Sequence, residues 1–337
     1  MSSSPIFEHQ GYRMVMDPKQ RLDPELVAPL EGVMAATGGG FNLHDLAGMR
    51  AMVDAMVAGV KTQAPTIAGV EAKDLKVPGS KEAPPVAVRL YRPKETRDAL
   101  PVLVWMHPGG WVLGNIELDD LMARELIKNV RCAIVSVEYR LSPEHPYPAA
   151  LEDCYAVLKW LATDGKKNGI DTRRIAVGGS SAGGNLAAGL ALLARDRGEV
   201  PISFQMLIYP ALNDRNLAQV GPNVAENLFW SRENMLMSWK AYLENRQATA
   251  DVPIYAAPSR ARDLGRLPPA FIAVGGLDMF LEECLDYAAR LTAAGVNTEA
   301  HVYPGAFHAF DAFAPQARVA QRLVADRNAA LVRAFAG

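Results

Sequence analysis

The chain has 337 residues, half of them hydrophobic and 21% charged, so it can bury a large core and is not globally disordered. Lys and Arg number 35 against 37 Asp and Glu, a formal net charge of −2, and no segment carries a dense basic run. That balance speaks against a nucleic-acid partner, which needs a positive field.

The cysteines, Cys132, Cys154 and Cys284, are odd in number and widely spaced. They make no disulfide framework and no CxxC metal pair, and buried free thiols in a reducing compartment are expected. The N-terminus, MSSSPIFEHQGYRMVMDPKQ, lacks the basic start and apolar core of a secretory signal. No apolar run approaches the ~20 residues that span a bilayer. The expectation is a soluble, cytoplasmic protein with no membrane partner.

In chain order, residues 1–50 and a little beyond offer helical pieces, among them 46–57, preceded by the Gly38-Gly39-Gly40 break. From Val86 onward, short apolar runs alternate with longer amphipathic segments. Strands are expected at 86–91, 101–106, 133–138, 175–178, 204–209, 270–274 and 299–303, and helices at 119–129, 149–163, 182–195, 281–294 and 316–335. This is the pattern of an α/β protein with a mostly parallel sheet and crossover helices. The stretch from Asn213 to about Ala250 holds a Met- and Trp-rich helical run, 233–243, where such a body needs only a short connection. Both irregular stretches are read as a helical cap. The organisation is then 1–50, cap segment; 51–212, first part of the body; 213–250, cap insertion; 251–337, second part of the body. No internal repeat or low-complexity tract is evident.

The sequence Gly179-Ser180-Ser181-Ala182-Gly183 falls directly after an expected strand and before an expected helix. That is the context of a nucleophile elbow, in which a sharp turn lifts a hydroxyl above the sheet and the crowded flanking positions must lack side chains. Taking Ser180 as nucleophile would put Ala182 where the second glycine belongs, so Ser181 is the candidate. A serine hydroxyl needs a base and a group to orient that base.

Asp278 ends an apolar strand at the carboxyl edge of the sheet, the edge at which such sheets bind ligands, and also suits the start of the next helix. Glu282, Glu283 and Asp286 lie inside that helix and are weaker candidates for the acid. Of the histidines beyond Asp278, His301 lies within a strand, whereas His308 follows Tyr303-Pro-Gly-Ala-Phe307 in a loop that can reach over the sheet edge. His308 is the candidate base. The strand at 101–106 runs into His107-Pro108-Gly109-Gly110-Trp111, where Gly109 and Gly110, with the N–H of Ala182, can face a developing oxyanion.

These blocks, together with the run 138–153 (EYRLSPEHPYPAALED), Gly276-Leu277-Asp278 and Gly305-Ala-Phe-His308-Ala-Phe310, resemble the bacterial hormone-sensitive-lipase family of esterases over about residues 85–315. The resemblance implies an α/β-hydrolase fold with a helical cap, and hydrolysis of short-to-medium acyl esters without a metal or organic cofactor. Carried over by position, it implies a triad of Ser181, Asp278 and His308 and an oxyanion hole of Gly109, Gly110 and Ala182. Two positions depart from the family's pattern. Pro108 replaces the first Gly of HGGG, and Ser180 replaces the usual acidic residue before the nucleophile. Glu144 and His145 are expected to pack and pair charges.

The partner is then a small-molecule ester, hydrolysed through an acyl-enzyme. The same machinery also suits a lactonase or amidase. A non-catalytic receptor of the gibberellin type is the further alternative, against which the presence of His308 argues. Trp111, Phe229, Trp230 and Met235 are candidate substrate-binding residues, with cap packing as the alternative role. The sequence leaves the oligomeric state open, and the resemblance makes a homodimer plausible.

Overall fold

The computed structural model describes residues 18–63, 67–80, 83–215 and 228–336. Parts of the expected cap, 1–17 and 216–227, lie outside the described residues. Among those described, eight strands form one sheet, in the order β1-β2-β4-β3-β5-β6-β7-β8. They are β1 (Val70–Val77), β2 (Val86–Pro93), β3 (Leu100–Met106), β4 (Ala133–Glu138), β5 (Ile170–Ser180), β6 (Phe204–Ile208), β7 (Ala270–Gly275) and β8 (Thr298–Tyr303). Strand β2 is antiparallel to both β1 and β4, and every other pairing is parallel.

The sequence of each strand reflects its place. Every residue of β3, β6 and β7 is buried, as expected of strands covered by helices on both faces. Strand β1 was not anticipated from sequence. It buries only Val70 and Val77, at its two ends, and the charged residues between them erase the alternation that marks a half-buried strand.

The helices are α1 (Pro24–Ala36), α2 (Leu46–Gln63), α3 (Asp120–Asn129), α4 (Ala149–Asp164), α5 (Ala182–Arg197), α6 (Arg232–Tyr242), α7 (Leu281–Ala293), α8 (Phe310–Phe313) and α9 (Arg318–Ala336). Helix α5 is buried from Ala182 to Ala194; its small residues, AGGNLAAGLALLA, let it lie close on the sheet until Gly198 closes it in a left-handed cap. Helix α1 falls among the helical pieces expected over residues 1–50, for which the sequence sets no bounds here. Asp23 caps it by accepting the Glu25 N–H at 2.9 Å, and Pro24 occupies its first turn, a start signal that the internal Pro29 obscures.

The segment between α1 and α2 meets α6. Asn234 of α6 accepts the Leu43 N–H and donates to the Phe41 carbonyl at 2.8 Å, and His44 pairs with Glu233. The cap is pinned to the body by Arg50, which donates to the Val112 and Ser142 carbonyls and forks onto Glu144. A buried pair joins Arg260 with Asp214 at 2.6 Å, and Asp214 also accepts the Ala248 N–H. Glu144 therefore pairs charge, as its sequence context suggests. Cys132, Cys154 and Cys284 are free and buried. Among the described residues, no helix is long and apolar enough to cross a membrane.

Strands β3, β5, β6 and β7 end at one edge of the sheet, and the loops beyond them, with the loop after β8, bring the candidate residues together. Open α/β sheets form their sites at this edge.

Candidate active site

Between β5 and α5 the chain turns so sharply that Ser181 adopts φ 56°, ψ −116°, a conformation that non-glycine residues rarely take. The flanking glycines are required by contact. A Cβ on Gly179 would lie 2.4 Å from the Gly183 carbonyl carbon, and one on Gly183 would lie 2.0 Å from the Met106 carbonyl oxygen. The turn is held by Ser181 N–H donating to the Ile208 carbonyl and Asn185 N–H donating to the Ser181 carbonyl.

The Ser181 hydroxyl faces His308 Nε2 at 2.9 Å, and His308 Nδ1 lies 2.8 Å from Asp278 Oδ2. With Nδ1 protonated, Nε2 is free to accept the serine proton. Asp278 is buried, and its other oxygen accepts the Phe280 N–H at 3.0 Å, which fixes the carboxylate plane. The loops bearing acid and base are stitched together, since Gly276 and Leu277 donate to the Tyr303 and Ala306 carbonyls. The imidazole sits between two aromatic rings, those of Tyr209 and Phe280, at centroid distances of 4.9 and 5.0 Å. These two walls had no signal in the sequence, because they come from different loops and follow no spacing rule.

His301, the other histidine considered, is on β8 and bonds Glu299, with Asp326 at 3.6 Å. Glu283 accepts the Leu212 N–H and Asp286 pairs with Arg290; in the structure only Asp278 among the acidic candidates reaches His308.

Beyond β3, Gly109 and Gly110 take φ 125° and 61°, and Val112 and Leu113 N–H groups close the loop onto the Gly109 carbonyl. Among the described residues, the Gly109 and Gly110 N–H groups have no protein acceptor. Ala182 is the first residue of α5, so its N–H is one of the donors a helix start leaves open. Pro108 contributes its carbonyl, which lies 2.7 Å from His107 Nδ1. His107 stacks on Tyr139 at 4.1 Å, and the Tyr139 hydroxyl donates to the His107 carbonyl, so the loop is clamped from below. Burial pulls His107 down to about 4, which keeps it neutral at physiological pH.

The aromatic candidates divide. Trp230 reaches the site: a Cβ on Gly110 would lie 2.9 Å from its Cζ2, and 2.6 Å from the hydroxyl of Ser238 on α6. Trp111 stacks on Tyr242 at 4.5 Å and lies tilted against Trp239 at 4.4 Å, Phe229 packs on Phe41 and Phe313, and Met235 is buried in α6. Trp111 and Phe229 are thus engaged in aromatic packing. Gly110→Ala is expected to lower kcat on p-nitrophenyl butyrate by about 10²–10³, because the methyl group must displace the loop from its φ and from the cap above it. Wild-type kcat in that variant would remove Gly110 from the hole.

Known proteins share this architecture. The esterase LipI of Mycobacterium tuberculosis is 39% identical over 250 residues, 72% of this chain and 75% of that protein. A bacterial heroin esterase superposes with TM-score 0.89 at 40% identity, covering 95% of this chain and 99% of its own. The esterase LipW from Mycobacterium marinum gives TM-score 0.84 at 39% identity, covering 96% and 100%. Residues 103–312, which run from β3 through the elbow, Asp278 and His308, match the family described as alpha/beta hydrolase fold, and the chain belongs to that family.

Proposed function

We propose that this protein, a carboxylic-ester hydrolase acting on short-to-medium acyl esters, works through Ser181 as nucleophile, His308 as base and Asp278 as the acid that orients it. The observation that carries the assignment is the continuous hydrogen-bonded chain from Ser181 Oγ through both ring nitrogens of His308 to a buried Asp278. His308 Nε2 takes the hydroxyl proton as Oγ attacks the ester carbonyl. The oxyanion that forms is met by the N–H groups of Gly109, Gly110 and Ala182. His308 then returns the proton to the departing alcohol, and a water deprotonated by the same nitrogen releases the acid from Ser181.

Within the alpha/beta hydrolases, the ordered motifs support placement in the bacterial hormone-sensitive-lipase family. Residues 1–50 and 213–250 form the cap in this reading, over a catalytic body of 51–212 and 251–337; the contacts of Asn234 with Phe41 and Leu43 support that division. Trp230, which overhangs Gly110 beside Ser238, is the substrate-facing aromatic side chain of the cap. A cytoplasmic location and a homodimer belong to the same reading.

An activity panel tests the substrate class. Turnover is expected on p-nitrophenyl esters from acetate to about octanoate, falling for longer chains because the walls of the site are made of large buried side chains. Faster turnover of a lactone or an anilide than of every simple ester would reassign the enzyme to that class.

A further inference from the structure

Ser180 and Ser181 are adjacent, but only Ser181 faces His308. Ser180 ends β5 in register with Ile208 of β6, and Tyr209 is the residue immediately after β6. The Tyr209 phenol donates a 2.8 Å hydrogen bond to Asp311 Oδ1, three residues beyond His308 in the chain. The same tyrosine ring forms one wall of the imidazole. Arg327 of α9 is only 3% exposed, its Nε has no hydrogen-bond partner among the described residues, and Asp311, Tyr209, Asp119 and Glu125 act on its charge. Asp119 is in turn held by Trp105 Nε1 at 2.7 Å. A polar layer thus adjoins the Tyr209 ring.

Burying a guanidinium costs stability that an apolar residue of similar size would not. The geometry gives the layer a task that apolar packing could not perform. The bond from Tyr209 to Asp311 ties the end of β6 to the loop that carries His308, and it sets the orientation of the ring against the imidazole. It also explains why residue 180 is neutral. A carboxylate there would compete with Asp311 for the single phenol proton.

We propose that Asp311 is a positioning residue for His308: through the Tyr209 hydroxyl it holds the aromatic wall against the imidazole, and it supplies from beyond the histidine the carboxylate that Ser180 does not. This rests on the assignment of Ser181, His308 and Asp278 given above.

The test is a double-mutant cycle in the full chain, with p-nitrophenyl butyrate as substrate and a thermal melt for each variant. Asp311→Ala and Tyr209→Phe each remove the bond and are each expected to lower kcat about ten-fold with KM within about two-fold, as for a displaced catalytic group. The double variant Tyr209→Phe/Asp311→Ala is expected to lose no more than the worse single, since both changes remove the same bond. Either single variant at wild-type kcat, or additive losses in the double, overturns the proposal. If a variant containing Asp311→Ala does not melt cooperatively, Tyr209→Phe alone carries the test, and wild-type kcat there overturns the proposal. Ser181→Ala, run alongside, separates the two levels: full activity there defeats the triad assignment, whereas an inactive Ser181→Ala beside a normal Asp311→Ala defeats only the role of Asp311.

Discussion

Ser181→Ala is expected to lower kcat/KM for p-nitrophenyl butyrate by about 10⁴-fold or more, the scale seen when a serine nucleophile is removed from such a triad. The loss should be one of chemistry and not of folding. Alanine keeps the Cβ that Ser181 already places at φ 56°, so the turn gains no new strain, and the glycines that permit it are untouched. What disappears is one hydroxyl and its hydrogen bond to His308 Nε2, which contributes about 1 kcal/mol to stability by the usual scale of such bonds. Urea unfolding should therefore change little. A fluorophosphonate probe should add its mass to Ser181 in the wild-type chain and to nothing in the variant. Labelling at Ser180 would instead mean that the elbow is in the other register, although in the structure it is Ser181 Oγ that meets His308 Nε2.

That Ser181 could be picked out from sequence has a physical reason. An elbow needs a strand, a turn free of flanking side chains and a helix within a dozen residues, so its constraints are local and leave a local trace. The same holds for His107 to Gly110, a loop at the end of the fully buried β3. Asp278 and His308 were found through order and edge position, since each follows a strand whose carboxyl end faces the site. The residues that escaped are those whose roles come only from convergence. Tyr209 reaches His308 from the loop after β6 and Phe280 from the start of α7, while Asp311 on α8 bonds Tyr209, and no periodicity links them. Strand β1 escaped for the opposite reason: it forms an edge of the sheet, and its largely exposed residues carry no hydrophobic pattern for sequence to display.

Asp278→Asn tests the acid with a nearly isosteric change, and the two hydrogen bonds of this side chain decide how it fails. Oδ1 accepts the Phe280 N–H at 3.0 Å and Oδ2 accepts His308 Nδ1–H at 2.8 Å, so the carboxylate uses both oxygens as acceptors in a buried position. An asparagine has only one oxygen. The Phe280 N–H is a fixed backbone donor, and an NH₂ turned toward it would leave two buried donors facing each other, which costs about 1–3 kcal/mol. The amide oxygen therefore stays with Phe280, and the NH₂ group faces Nδ1. The imidazole then moves its proton to Nε2, the nitrogen that points at Ser181, and can no longer accept the hydroxyl proton. The expected result is a fall in kcat of about 10⁴-fold, as for the wrong tautomer in other serine hydrolases, with KM nearly unchanged because Asp278 lies behind the histidine. Stability should drop by no more than about 2 kcal/mol in urea, since one hydrogen bond is weakened and no cavity is made. A variant that keeps kcat within about ten-fold of wild type would show that the tautomer is set by some other group, and the link from Asp278 to catalysis would be broken.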